Sequence, residues 1–184
     1  MEKNYSLALS LETAPKTFRV DALLAGETLL RLHPHWFVEG FSQEGGQVQV
    51  DLRDYASEAT FRLQYRIETD YAGLPRVVFA QGPLSEIGFN LQAGILHARV
   101  TSDQNIAALE ETFGLGLWLR GIREYLRLYL SNSPNTLFFR FLMNRVMLRM
   151  NPSQRKISIM IYKITVVEII LILVIIIGFV YFNR

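Results

Sequence analysis

Three histidines are the side chains in this 184-residue sequence best suited to metal binding or to proton transfer near neutral pH. Two of them sit together in the run His33-Pro34-His35-Trp36-Phe37, with Glu39 close behind. A mononuclear metal site needs a third ligand, which this spacing does not supply, so no metal is expected and a structural or pocket-mouth role is. His97 alternates with Leu96 and Ala98 and is expected to face solvent. The absence of cysteine excludes thiol nucleophiles, thiolate metal sites and a disulfide scaffold. Gly114-x-Gly116 runs into Leu-Trp-Leu-Arg-Gly, misses the dinucleotide spacing and lies inside a helical pattern rather than after a strand. The carboxylate pairs Asp51/Asp54 and Glu110/Glu111 read as wetted surface, and no Gly-x-Ser-x-Gly elbow occurs. No catalytic residue is singled out, and no cofactor is expected beyond a bound lipid or quinone.

With catalysis unmarked, the information lies in how charge and apolarity are distributed. Half of the residues are apolar and mean hydropathy is positive, at +0.18, which excludes a disordered chain. Residues 1–130 hold 12 Lys/Arg against 16 Asp/Glu, a net charge of −4. Residues 131–163 carry Arg140, Arg145, Arg149, Arg155, Lys156 and Lys163 with no acid, a net charge of +6. The small overall charge of +2 is therefore a cancellation between an acidic body and a basic collar.

The apolar excess sits at the end of the chain. Ile164 to Phe182 reads ITVVEIILILVIIIGFVYF, which as a helix spans roughly 28 Å, the thickness of a bilayer's hydrocarbon layer. Tyr162 and Tyr181 sit at its two ends, where aromatic residues meet the membrane interface. Asn151-Pro152 is the expected helix start. The collar precedes the span and only Arg184 follows it, so the positive-inside rule puts the N-terminal domain in the cytoplasm and the C-terminus outside, as a single-pass tail anchor. Glu168 lies about one turn inside the span. It is either near enough to the head groups to be wetted or paired with Lys163 or a neighbour, or in contact with a partner's transmembrane helix.

Between body and span, Asn135–Met150 winds into a helix with Phe139, Met143, Val146, Met147 and Met150 on one side and Arg140, Asn144, Arg145 and Arg149 spread over the other, where Leu137, Phe141 and Leu148 intrude. This predicts an interfacial helix pressed on anionic lipid head groups, with packing on the body or on a partner as the alternative. A patch tethered beside a bilayer and interleaved with Phe, Met and Leu does not suit nucleic acid. The expected organisation is a domain over 1–130, a basic amphipathic helix over 131–151 and a transmembrane anchor over 152–184.

The body must supply whatever site exists. Tyr5, Leu7, Leu9 and Leu11 alternate as a half-buried strand that Ala14-Pro15 ends. A short helix carries Phe18, Ala22, Leu23 and Leu24, and a second lies around Leu29–Leu32. After the Gly45-Gly46 turn come period-two strands through Val48/Val50/Leu52, Phe61/Leu63/Tyr65/Ile67, Arg76–Phe79, Ile87/Phe89/Leu91 and Leu96/Ala98/Val100. With Asp103 as the expected N-cap, Ile106, Leu109, Phe113, Leu117, Ile122, Tyr125 and Tyr129 mark one long helix to Leu130. Gly114, Gly116 and Gly121 weaken its middle, for a kink, a close approach to the sheet, or room for a ligand. Six strands segregated from helices give an α+β fold in which a curved antiparallel sheet wraps the long helix.

The opening over Leu9–Phe41, with its Ala14-Pro15 turn, the apolar Phe18 and Leu23, and the Trp-bearing His33–Phe37 segment, resembles the START-like (SRPBCC, polyketide cyclase-like) superfamily. The glycine turn, the antiparallel strands and the closing helix extend the resemblance over roughly residues 4–130; the superfamily has seven strands where six are counted here. The resemblance implies a helix-grip fold with an apolar cavity between sheet and helix. Its expected lining is Trp36, Phe37, Phe41, Phe61, Leu63, Tyr65, Phe89, Leu91 and Leu117, with Tyr125 at one end; the same residues would also fill a solid core. The expected function is a membrane-anchored, non-catalytic module that binds or presents a lipid, quinone or isoprenoid at the cytoplasmic membrane surface. An accessory subunit of a membrane complex, docking through the domain and Glu168, is the alternative, and a cyclase or hydrolase acting in the cavity the weaker one.

Overall fold

The computed structural model describes residues 1–9, 26–71, 74–92, 94–131 and 134–183. Leu11, the Ala14-Pro15 turn and the short helix expected from Phe18 to Leu24 lie outside the described residues. The chain forms two units, Met1–Arg149 and Met150–Arg184.

In the first unit seven strands make one antiparallel sheet: β1 (Glu2–Ala8), β2 (Trp36–Glu44), β3 (Gln47–Asp54), β4 (Thr60–Thr69), β5 (Pro75–Gln81), β6 (Glu86–Gln92) and β7 (Ile95–Thr101). Their order is β1-β7-β6-β5-β4-β3-β2, so a meander from β2 to β7 is closed by the N-terminal strand pairing with the last one. The alternation in the sequence becomes one buried face. Val50 stands opposite Leu63, Val48 opposite Tyr65, Tyr65 opposite Phe79, and Ile87 opposite Val100, all inward.

The strand that periodicity did not predict is β2. Trp36 and Val38 face inward, but the register shifts between Val38 and Gly40, so Phe41 rather than Gly40 next takes the inward side, opposite Val50. This β-bulge inserts one residue and breaks the period of two on which the count of six strands relied.

Across the inner face lie α2 (Ile106–Phe113) and α3 (Leu115–Leu130), preceded in the chain by the short α1 (Thr28–Arg31). The single long helix expected there is two. Gly114 has φ +60°, closing α2 and opening α3. The N-cap is Asn105, whose side chain accepts from the Ala107 N–H at 2.9 Å, rather than Asp103. The break re-phases the helix, so Leu115, Trp118, Leu119, Ile122, Tyr125 and Leu126 are buried while Leu117 faces out. Glu110, expected as wetted surface, ties α2 to the edge strand β1 by accepting from Tyr5 Oη at 2.7 Å and Lys3 Nζ at 2.8 Å.

The basic segment opens with α4 (Pro134–Arg145), followed by a 3₁₀ turn at Met147–Arg149. The helix α4 meets the body with residues from both of its expected sides. Arg140 is turned to the body, donating to the carbonyls of Leu128 at 2.8 Å, Tyr129 at 2.9 Å and Ser131 at 2.6 Å. It binds the open carbonyls at the end of α3 rather than a membrane surface. Met143 packs on the core beside it, and Arg31 from α1 holds the carbonyl of Leu148 at 2.9 Å.

The second unit is α5 (Pro152–Phe182), 31 residues long. Asn151 Oδ1 accepts from the Gln154 N–H at 2.8 Å and Gln154 Oε1 from the Asn151 N–H at 3.0 Å, a complete capping box with Pro152 in the first turn. Among the described residues this is the one helix long and apolar enough to cross a membrane.

Two glycines of α3 give a paired prediction. A Cβ on Gly121 would stand 2.3 Å from the Leu32 carbonyl oxygen, whereas one on Gly116 would meet nothing within 4 Å. Gly121→Ala is expected to destabilise the first unit by about 1–3 kcal/mol, as overpacking does. Gly116→Ala is expected to stabilise it by about 0.5–1 kcal/mol through helix propensity. Denaturant unfolding of the detergent-solubilised chain measures both; equal effects would show that helix and loop are not in close approach.

Candidate functional site: a pocket between the sheet and the second helix

The inner face leaves a pocket of about 300 Å³ where β2, β3 and β4 open toward α2. Trp36, Phe61 and Leu63 form its sheet side, and Leu109, Thr112 and Phe113 its helix side. Asp54, Ser57, Arg62 and Gln104 add polar and charged groups to the wall. Gly82-Pro83 closes one edge, held by Ser102, whose Oγ donates to the Pro83 carbonyl at 2.6 Å and accepts from the Gln104 N–H at 2.9 Å.

The wall is built on Trp36. Its ring meets Phe113 edge-on at 4.5 Å, Phe61 at 5.6 Å and Trp118 at 5.1 Å between centroids, and His33 stacks on it at 4.0 Å. Trp118, which the periodicity passed over, is fully buried and donates from Nε1 to the Leu29 carbonyl at 2.7 Å. Its position four residues after Gly114 is the signal that could have placed it inward, had the break been recognised.

His33 belongs to this support and is itself buried. Its Nδ1 accepts from the His35 N–H at 3.2 Å, which puts the proton of the neutral ring on Nε2, against Gly114. Burial, aided by the neighbouring His35, lowers its pKa to about 3, although Asp54 and the backbone of residues 113 and 114 pull the other way. Near neutral pH it is an uncharged packing element. Asp54, expected as wetted surface, is buried: one carboxylate oxygen accepts from the Ala56 N–H at 2.9 Å and the other from Ser57 Oγ at 2.8 Å, closing the turn that leaves β3.

The expected lining residues separate into three groups. Trp36, Phe61 and Leu63 meet at the pocket. Tyr65, Phe89, Leu91 and Tyr125 are core or core-flanking residues that do not line it; Tyr65 spends its hydroxyl on the Gly26 carbonyl at 2.6 Å, and burial raises the pKa of that phenol. Phe37, Phe41 and Leu117 lie elsewhere. Phe37 alternates out of the inner face and rests near Tyr55 and the Arg31 guanidinium. Phe41 keeps the inward side but sits on an edge strand, 42% exposed, and Leu117 is 46% exposed because the helix turns at Gly114.

The buried histidine predicts a pH dependence. Its unfolded value, about 6.5, lies above its folded one, so the unfolded chain binds the extra proton between those values and stability falls as pH drops from about 6.5 toward 3. His33→Phe keeps the stack on Trp36 and removes the proton. Its unfolding free energy is expected to fall less steeply across this window, by up to ~1.4 kcal/mol per pH unit. Parallel slopes in the two proteins would contradict a neutral His33.

No family model matches the chain, and no curated protein matches it either. Solved structures share its arrangement. The solution structure of an AHSA1-like protein from Aeromonas hydrophila is 13% identical, with 72% of this chain and 97% of that one aligned and a TM-score of 0.48. A Thermus thermophilus protein is 17% identical over 71% of this chain and 98% of that one, with a TM-score of 0.38. A START superfamily protein from Mycobacterium smegmatis is 9% identical over 71% and 95%, with a TM-score of 0.36. These are similarities of architecture alone. It is the strand order of the curved seven-stranded antiparallel sheet, with the helices α2 and α3 laid across its inner face, that makes the fold of this chain START-like.

Proposed function

We propose that the chain is a membrane-anchored module that binds a hydrophobic molecule at the cytoplasmic surface of a bilayer. The observation that carries this reading is the pocket, about 300 Å³ and walled by Trp36, Phe61, Leu63, Leu109 and Phe113. That volume is at the lower end for small-molecule sites and suits a ring or the end of an acyl or prenyl chain rather than a whole lipid. Burial of apolar ligand surface, at roughly 25 cal/mol per Å², supplies the affinity, and Asp54, Ser57 and Gln104 offer polar contacts for a head group. A helix of 31 residues supports the anchor, since only about 20 are needed to cross. The basic residues before the span support a cytoplasmic domain.

Extraction of the full chain in mild detergent, followed by organic extraction and mass spectrometry, is expected to release an apolar compound in near-stoichiometric amount. Thr112 is exposed at the pocket mouth on α2, so Thr112→Trp is expected to block the pocket while leaving the fold intact, and to reduce the bound compound at least tenfold. A wild-type chain that carries no such compound and takes up no fluorescent fatty acid would refute the proposal.

A second reading rests on Glu168, exposed on α5 amid apolar side chains. A carboxyl within a span is costly unless it is wetted or partnered. This supports an accessory subunit that meets another transmembrane helix there. Native mass spectrometry of the gently solubilised chain would then show a stoichiometric partner that Glu168→Leu releases; a monomer in both proteins counts against this reading.

A further inference from the structure

The packing of α4 leaves a surface that none of the preceding functions uses. Its inner side is fixed to the body by Arg140 on three carbonyls, by the Arg140 guanidinium over the Tyr129 ring at 5.1 Å, and by Asn144 beside the hydroxyls of Tyr125 and Tyr129. The side turned away from the body presents Leu137, Phe138 and Phe141, each at least 60% exposed, with Arg145 at its end. Positions 137, 138, 141 and 145 share one helical face. Among the described residues nothing covers it, and a contiguous exposed apolar patch of this kind marks an interaction surface.

We propose that this face lies in the interfacial layer of the bilayer, with the phenyl rings of Phe138 and Phe141 among the upper acyl chains and the exposed Arg145 and Arg149 on anionic head groups. The proposal rests on α5 being a membrane anchor and assigns the apolar part of the lipid contact to Leu137, Phe138 and Phe141 rather than to the side that carries Phe139 and Met143. Three observations select lipid as the occupant. The six residues 146–151 separate α4 from α5 and extend no further than about 20 Å, so the face stays within reach of the membrane that α5 enters. Residues 131–163 contain no acid, which complements an anionic lipid surface. Phenylalanines rimmed by arginine are also the composition of interfacial helices, where the ring inserts and the guanidinium reaches the phosphates.

The absence of cysteine makes the test direct. Spin labels are placed singly at Phe138→Cys, Phe141→Cys, Gln43→Cys on the exposed end of β2 and Leu171→Cys in α5, in the full chain reconstituted into nanodiscs with 30% phosphatidylglycerol. Accessibility to oxygen and to a water-soluble nickel chelate is then compared. The labels at 138 and 141 are expected to favour oxygen over nickel at least fivefold more than the label at 43, and less than the label at 171. Labels at 138 and 141 that behave like the one at 43 leave the face in water and overturn the proposal. Labels shielded from both reagents place a protein there, which overturns it equally. If position 171 also behaves like 43, the anchor itself is wrong and the inference falls with it; a lipid-exposed 171 beside a water-exposed 141 sinks the inference and spares the anchor.

Discussion

The contact between His33 and Gly114 is the constraint on which the inner face of this domain depends. A helix that changes phase within one residue needs a backbone free to take positive φ, and Gly114 provides it at +60°. The side-chain space is closed as well, since a Cβ there would lie 2.9 Å from Nε2 of His33. Glycine is thus required twice, by its own torsion and by the imidazole packed on it. The consequences run outward. The turn at Gly114 is followed by Trp118, whose ring lies 5.1 Å from that of Trp36, and the space between α2 and strands β2 to β4 is the pocket. Were α2 and α3 one straight helix, as the sequence pattern suggested, the residues now out of phase would compete for the same strip of sheet.

That contact also shows where the sequence stops being legible. Strands β3, β4, β6 and β7 could be read from alternation because each has one wet face and no irregularity. The strand β2 could not, because its bulge moves the inward side from even to odd positions between Val38 and Phe41. The helix could be placed but not phased, because a left-handed residue leaves no trace in hydrophobic spacing other than the glycine itself. The candidate site suffered accordingly. Phe61 and Leu63 are legible because they lie on a regular alternating strand, and Trp36 through the resemblance of its segment, whereas a continuous 3.6-residue count across a discontinuity selects Leu117 in place of Trp118. Asp54 looked like surface in a run of charged residues, and only the turn it closes through Ala56 and Ser57 explains its burial.

Charge counting carries a similar lesson in the basic segment. Six positive residues without an acid suggest one uniform membrane-facing collar, but a guanidinium has five donors and helix ends have unpaired carbonyls, and the two satisfy each other wherever geometry allows. Arg140 and Arg31 are used in this way, and within the second unit Arg155 donates to the Met150 carbonyl at 3.0 Å. A charge committed to backbone carbonyls still contributes to the long-range field but no longer approaches a phosphate. Fewer residues are therefore open to an external anion at short range than the net charge implies, Arg145 and Arg149 among them, both exposed.

The same arginine decides which apolar residues remain outside. With Arg140 and Met143 turned to the body, Leu137, Phe138 and Phe141 remain exposed on α4. Exposing three large apolar side chains opposes solubility, and a free domain would be expected to lose such a face or to cover it. In the proposed reading the domain is joined by six residues to a membrane anchor, so lipid within reach of the rings would offset this cost. The hydrogen bonds at the end of α3 and the composition of α4 are in that sense one arrangement: Arg140 caps the helix while the phenylalanines stay outside, an orientation that the proposed contact with lipid would favour.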